Sequence, residues 1–274
     1  MNQTMAFFWG GSKMSWMRYM TFASFRHFNP TWNMKVYWYD AVGKRQWDTG
    51  NALDAQDYTG EDYSGGLSGL DVERVEWKSP IEGLSAPHAA GFFKFDYLAK
   101  HGGWYSDTDI LWFNTIEWLH QRVKDLDVVG FETFDIVGDG LWAGSPNELW
   151  TGLYGAVVAN YRANWYQSAG PDAIAQYAIN QQRADWKVAR NALRTKHPTL
   201  KIDILPNTWV YPWTAEQVDK IFNKVTQAPD NCIGIHYFGG HPQTIEWTNK
   251  LNEKTYKEFK NTYTKYAKCS LPSA

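Results

Sequence analysis

The chain has 274 residues, of which 44% are apolar and 20% charged, with a formal net charge of −2. That balance excludes a disordered chain, gives no global attraction to nucleic acid or anionic lipid, and leaves ample apolar surface for a sizeable core. Two cysteines, Cys232 and Cys269, are too few for a disulfide framework or a cysteine zinc site and read as reduced thiols.

The first element is "MAFFWGG", a short buried strand closed by a glycine turn. The opening "MNQTMAFFWGG" lacks the charged and long apolar regions of a signal peptide. No stretch approaches the roughly 20 apolar residues of a membrane-spanning helix. A cytoplasmic, soluble protein is the expectation. "SWMRYMTFASFRHF" sets Trp16, Met20, Ala23 and Phe28 near helical spacing, and Asn29-Pro30 stops that helix because the residue before proline is driven from the α region. "MKVYWYD" is a second strand. The acidic, glycine-rich segment 49–70 reads as a mobile loop, and "VERVEW" as a third strand. "SAPHAAGFFKFDYLAKHGG" is a helix with Pro87 near its start and glycines past its end. "HGGWYSDTDILWF" follows as the fourth strand. "DVVGFE" and "LKIDILP" supply further strands, 165–196 is largely helical, and "NCIGIHYFGG" is a late strand running into a loop. Strand and helix alternating over the first 115 residues predict an α/β fold with a mainly parallel central sheet flanked by helices. Neither a repeat nor a linker divides the chain.

Sixteen tryptophans and sixteen tyrosines are many for this length. Flat aromatic faces suit stacking on sugars or bases, yet core packing is the expectation for any single one. Asp107 and Asp109 need more explanation, because they stand two positions apart in a run otherwise fit for burial. On a strand, side chains at i and i+2 share a face, roughly 6–7 Å apart, while Thr108 points away. In open α/β sheets ligands collect beyond the carboxyl ends of strands, where this pair should lie. A divalent cation such as Mg²⁺ or Mn²⁺, which prefers oxygen ligands, gives both carboxylates a reason to be there. Solvated loop aspartates or arginine partners are the plainer alternatives.

The segment "KFDYLAKHGGWYSDTDI" resembles the D-x-D region of family 32 glycosyltransferases and the related α-1,4-galactosyltransferases. Further blocks are similar in the same order: "FFWGG" with its helix and "WNMKVYWYD", then "AGPDAIAQY", "ILPNTWVYPW" and "IGIHYFGGH". The resemblance implies a GT-A (Rossmann-like) glycosyltransferase fold with acceptor-side insertions. It also implies transfer of a hexose or similar sugar from a nucleotide-sugar (UDP- or GDP-linked) to an acceptor hydroxyl, with retention and with Mn²⁺ or Mg²⁺. By that resemblance Asp107, Asp109 and His236 are metal ligands. Asp107 also faces the donor, and Gly239 brings its backbone to the β-phosphate. Trp9, Gly10 and Gly11 lie where the base sits, while Gly102 and Gly103 let the nucleotide approach. One domain then spans 1–274: residues 1–115 bind the nucleotide-sugar, 116–246 form the acceptor side with the metal-completing histidine, and 247–274 add a basic amphipathic helix.

Three departures from the family pattern stand out. Gly91 and Lys94 replace the usual aspartate and arginine; Lys94 keeps the charge, and with it a place among the implied donor-binding residues, without the forked geometry. Pro242 stands where some relatives place a phosphate-binding lysine, a role left to His241. Candidates for the reacting centre come from "GFETFDIVGDGLWAGSPNE", which holds Glu132, Asp135, Asp139 and Glu148; Asp135 and Asp139 rank first. In the tail, Tyr256, Phe259, Tyr263 and Tyr266 form a helical stripe beside six lysines and two glutamates. It reads as docked on the domain, with peripheral membrane contact as the alternative. The expected acceptor is a glycan. The alternatives are a hydroxylated nucleobase of DNA, which the near-neutral charge does not indicate, or a non-catalytic sugar-binding protein on the same fold. A phosphohydrolase using the first aspartate as nucleophile fits poorly, since "GGWYS" is not the apolar strand that chemistry expects.

Overall fold

A computed structural model describes residues 1–11, 13–40, 42–44, 46 and 58–270. In chain order the first elements are β1 (Thr4–Gly10), α1 (Trp16–Phe28), β2 (Asn33–Tyr39), β3 (Glu73–Glu76), α2 (Ala86–His101), β4 (Gly103–Ser106) and β5 (Ile110–Trp112). Next come α3 (Glu117–Val123), β6 (Val128–Thr133), β7 (Ile136–Gly144), α4 (Glu148–Asn160), α5 (Pro171–Ile179) and α6 (Trp186–Lys196). The last are β8 (Ile202–Leu205), α7 (Asp219–Phe222), β9 (Gly234–His236), α8 (Pro242–Lys250) and α9 (Thr262–Cys269).

Seven strands form one sheet in the order β3-β2-β1-β4-β7-β6-β8, and β5 with β9 forms a small second sheet. Pairing is parallel from β3 through β4 and again between β6 and β8; β7 runs antiparallel to both of its neighbours. The mainly parallel α/β architecture expected from the alternation is therefore present. The unbroken apolar run of β1 reflects burial on both faces. Met5, Phe7 and Trp9 join Phe22 and Phe25 of α1 on one side, and Ala6 and Phe8 join Phe92 and Phe93 of α2 on the other. Strand order runs outward from β1 to β3, then returns through α2 to β4 on the opposite side. The switch point lies between β1 and β4, where open α/β sheets form their ligand crevice.

Several sequence expectations need correction. The fourth strand is two strands, because residues 107–109 turn out of the large sheet and β5 enters the small one. Strand β7 was not among the expected strands, because Gly138, Asp139 and Gly140 interrupt its alternation. Part of the expected mobile loop, Ser64–Leu70, is a 3₁₀ helix with Leu67 buried; residues 49–57 lie outside the described residues. The C-terminal helix is also two helices, α8 and α9, with Leu251 buried between them and Asn261 starting the second through a capping box. Tyr256, Tyr263 and Tyr266 are buried and Phe259 packs on the same cluster, so the stripe is spent on docking rather than on a membrane. Among the described residues, no helix is long and apolar enough to cross a membrane.

Candidate active site

A cavity of about 910 Å³ opens at the switch point. Its floor holds Trp9 and Gly10 from the end of β1 and Asp107–Asp109 from the turn after β4. Backbone pairing explains how a distant histidine arrives there. The Asp107 N–H donates to the Gly140 carbonyl at 2.7 Å, prolonging the β4–β7 ladder by one residue. The chain then turns, and Ile110 pairs with His236 across β5 and β9. The Tyr237 N–H donates to the Asp109 carbonyl at 2.9 Å, which fixes β9 against the turn.

Ligand-type atoms of Asp107, Asp109 and His236 all lie within 4.8 Å of one another. His236 Nε2 is 3.2 Å from Asp109 Oδ1 and 4.0 Å from Asp107 Oδ2. Each group is held from behind. Asp107 Oδ1 accepts from the Tyr105 hydroxyl at 2.5 Å, and Asp109 Oδ2 accepts from the Gly239 N–H at 2.7 Å. The His236 ring lies between Tyr211 and Phe238, with centroids at 4.8 and 4.7 Å. Phe238 adopts φ 52, a left-handed turn costly for a bulky side chain, just before Gly239 and its N–H to Asp109. A Cβ at Gly140 would lie 3.0 Å from Asp107 Oδ2 and 3.1 Å from the imidazole, so glycine keeps this space open.

The electrostatics are out of balance. Burial, together with the nearby carboxylates of Asp109 and Asp139, pushes Asp107 up to about 6 against the opposing charges of Lys94 and His236. For Asp109 burial acts upward too, but His236, Arg18 and the Gly239 N–H hold it well below the usual carboxylate range. Burial would lower His236, and the Asp109 and Asp107 carboxylates raise it instead. Asp109 Oδ1 and His236 Nδ1 are buried without a hydrogen-bond partner among the described residues. Asp109 Oδ1 is paired with the imidazole at 3.2 Å but lacks a well-aligned hydrogen bond, a costly state for a buried carboxylate oxygen. Two ligands each about 2.1 Å from one ion stand roughly 3.0–4.2 Å apart at angles from right to straight. The two separations from His236 fall in that span and the third pair lies within 4.8 Å, so the oxygen-oxygen-nitrogen set suits Mn²⁺ or Mg²⁺ once the carboxylates draw in slightly.

An acid–base pair faces the same cavity. Lys94, only 2% exposed, donates from Nζ to the Asp139 carbonyl at 2.8 Å and to Asp139 Oδ2 at 3.0 Å. Gly91, one turn earlier on α2, packs so tightly on 3₁₀ residues 166–169 that an added Cβ would sit 2.1 Å from the Ala169 carbonyl oxygen. Geometry therefore forbids the family's aspartate there.

The remaining sequence candidates divide. Asp135 is exposed at the β6–β7 hairpin and lines the mouth of the cavity. Glu132 instead accepts the Asn207 N–H, and Glu148 opens α4 beside His197. Trp9 borders the cavity at 2% exposure, packed against Trp38, so it is core and presents no face for stacking. Gly10 lines the cavity; Gly11 is not among its lining residues. Gly102 and Gly103, at φ 62 and 90, turn the chain from α2 into β4 at the opposite end of that strand, against Pro146 and Asn2. They serve as helix stop and turn and do not line the cavity. The Gly239 N–H is committed to Asp109. His241 lines the cavity, but its Nδ1 accepts the Gln243 N–H to start α8, and burial lowers its pKa.

Sequence reasoning missed Arg18. Its side chain, 19% exposed, enters the cavity beside Asp109, with Nη1 3.7 Å from Asp109 Oδ2 and 3.2 Å from the Thr108 hydroxyl. Nothing in the helical pattern of α1 marks it, because only the tertiary fold brings that turn beside residues 108 and 239.

No protein-family model matches the chain, and no curated protein sequence matches it. Solved structures with a similar backbone include the galactosyltransferase LgtC in complex with donor and acceptor sugar analogs. That likeness has 12% identity and a TM-score of 0.46, over 99% of this chain and 97% of that one. The PaToxG glycosyltransferase is similar at 13% identity and a TM-score of 0.40, over 72% of this chain and 70% of that one. The apo-form glycosyltransferase GlyE of Streptococcus pneumoniae TIGR4 has 8% identity and a TM-score of 0.42, over 76% of this chain and 46% of that one. Likenesses this loose assign no chemistry to the chain.

Proposed function

We propose that the chain is a single-domain, metal-dependent glycosyltransferase of the GT-A kind, moving a hexose-like sugar from a nucleotide-sugar to an acceptor hydroxyl with retention. The observation that carries this reading is the convergence of Asp107, Asp109 and His236, with a buried carboxylate oxygen that lacks a well-aligned hydrogen bond, at the switch-point cavity. Collinear motifs add support. Asp107 Oδ2, Asp109 Oδ1 and His236 Nε2 would hold Mn²⁺ or Mg²⁺, which when bound offsets the negative charge of a diphosphate leaving group.

This chain's own groups do the rest. The Lys94 ammonium holds the Asp139 carboxylate toward the cavity, where it faces positive charge developing at the anomeric carbon. In a front-face displacement the bond from that carbon to the diphosphate oxygen breaks and its electron pair stays on the leaving group. The acceptor oxygen bonds to the same face of the carbon, and its proton passes to the departing oxygen. Asp135, at the cavity mouth, is placed to orient the acceptor, for which a glycan is the proposal.

The test is a panel of UDP- and GDP-sugars, each incubated with and without Mn²⁺ and assayed for release of nucleoside diphosphate. One donor should turn over only with metal, and Asp109→Asn should abolish that turnover. A panel in which no donor turns over and none raises the melting temperature contradicts the proposal.

A further inference from the structure

A nucleoside diphosphate leaving group carries more negative charge than one divalent ion offsets, and the groups the sequence nominated for donor contact are already engaged within the protein. Gly239 gives its N–H to Asp109, His241 caps α8, and Lys94 is paired with Asp139. Arg18 is differently placed. It sits on the first turn of α1, where its backbone N–H donates to Ser15 Oγ at 3.3 Å, and its side chain reaches over the metal-site turn. A guanidinium has five N–H donors in a planar fork. Among the described residues Arg18 makes one side-chain hydrogen bond, to Thr108 Oγ1; Asp109 Oδ2, at 3.7 Å, is an ion-pair neighbour outside hydrogen-bond reach. The remaining N–H groups of Arg18 have no protein partner among the described residues and belong to a side chain that lines the cavity, where a ligand can meet them.

The fold also makes room for it. A Cβ at Gly239 would lie 2.2 Å from Arg18 Nη2 and 2.6 Å from its Cζ, so the guanidinium occupies the space a side chain at 239 would take. Burial works against its charge, but the carboxylates of Asp109 and Asp107 keep its pKa above the ordinary value. The fork is thus permanently charged and already in position beside the two acids.

We infer that Arg18 is the diphosphate-binding residue of this cavity, holding the two phosphates of the donor and then of the nucleoside diphosphate leaving group. The inference rests on the proposed transferase reading. It gives Gly239 a different task from the one its motif implies: it clears space for a guanidinium instead of lending its N–H to phosphate. A planar fork suits two oxygens of neighbouring phosphates, which a lysine's point charge does not match.

Calorimetric titration separates the possibilities, with Mn²⁺ alone, then inorganic pyrophosphate, UDP and GDP at saturating Mn²⁺. Wild-type protein should bind Mn²⁺ and then a diphosphate. In Arg18→Gln, diphosphate affinity should fall about 10–100-fold, the range for losing charge-assisted hydrogen bonds. Affinity for Mn²⁺ alone should stay level or rise, because a like charge has left the acids' vicinity. Arg18→Lys should recover only part of the loss. Gly239→Ala keeps the N–H but displaces the fork, and should weaken diphosphate with Mn²⁺ binding retained. Arg18→Gln binding diphosphates as well as wild type overturns the assignment to Arg18 and leaves the transferase reading standing. Parallel loss of Mn²⁺ and diphosphate binding also overturns it, since Arg18 would then merely order Asp109. Wild-type protein that binds Mn²⁺ but no diphosphate overturns both.

Discussion

Two acid clusters face one cavity, and they are built on opposite plans. At Lys94–Asp139 the protein supplies its own cation: the buried ammonium has a carbonyl and a carboxylate oxygen as acceptors, and the pair is complete. At Asp107–Asp109–His236 the negative charge exceeds what the surroundings satisfy. One carboxyl is pushed up to about 6 and an oxygen of the other has no hydrogen-bond partner among the described residues. The difference separates a group poised by the fold from a group poised for a ligand. Neutralising an acid in each cluster should therefore change stability with opposite signs.

The largest effects belong to the completed side. Asp139→Asn strips the carboxylate from a buried lysine and should cost about 3 kcal/mol, read by denaturant unfolding. Gly91→Asp, which introduces the aspartate of the resembled family, drives a Cβ into the Ala169 carbonyl and should cost at least as much, with loss of soluble protein as the simplest sign. If Gly91→Asp is well tolerated, the packing of α2 on residues 166–169 is not as described.

On the incomplete side, Mn²⁺ must compete with a proton at Asp107. Moving from about pH 7.5 to about pH 5 should weaken apparent Mn²⁺ affinity by at least about tenfold, as expected for a ligand titrating near 6, with proton uptake at His236 adding to the loss. A flat profile would mean that Asp107 does not meet the ion.

Asp107→Asn should act oppositely to Asp139→Asn. A carboxyl whose folded pKa lies above its unfolded value loses stability as pH rises from about 4 through about 6. Replacing it should raise metal-free stability at neutral pH by about 1 kcal/mol and flatten that window, while abolishing stabilisation by Mn²⁺. The smallest effect is at His241. His241→Asn preserves an N-cap acceptor and should leave diphosphate binding unchanged, whereas His241→Ala costs about 1 kcal/mol of stability. A selective loss of diphosphate affinity in His241→Asn would return that residue to the binding role its motif implied.

Legibility followed range. Asp107 and Asp109 were readable because they break an apolar run locally, and the collinear motifs picked out His236. Helices α1 and α2 announced themselves through periodicity, the Asn29-Pro30 stop and Pro87. Strand β7 was not readable: Gly138, Asp139 and Gly140 interrupt its alternation, although the structure needs small residues there to clear Tyr211 and the imidazole. The tail kept helical spacing across a break that only Leu251 and the Asn261 cap reveal. Gly102 and Gly103 belonged to a recognisable motif, but motif adjacency is not spatial adjacency. They lie at one end of β4 and the acids at the other. Arg18 was invisible because its meaning depends on two segments far away in the chain.

Crystals soaked in Mn²⁺, with diffraction collected near the manganese absorption edge, test the central claim most directly. The account predicts one strong anomalous peak in contact with Asp107 Oδ2, Asp109 Oδ1 and His236 Nε2. A featureless map at that position, or a strong peak only elsewhere, would contradict it.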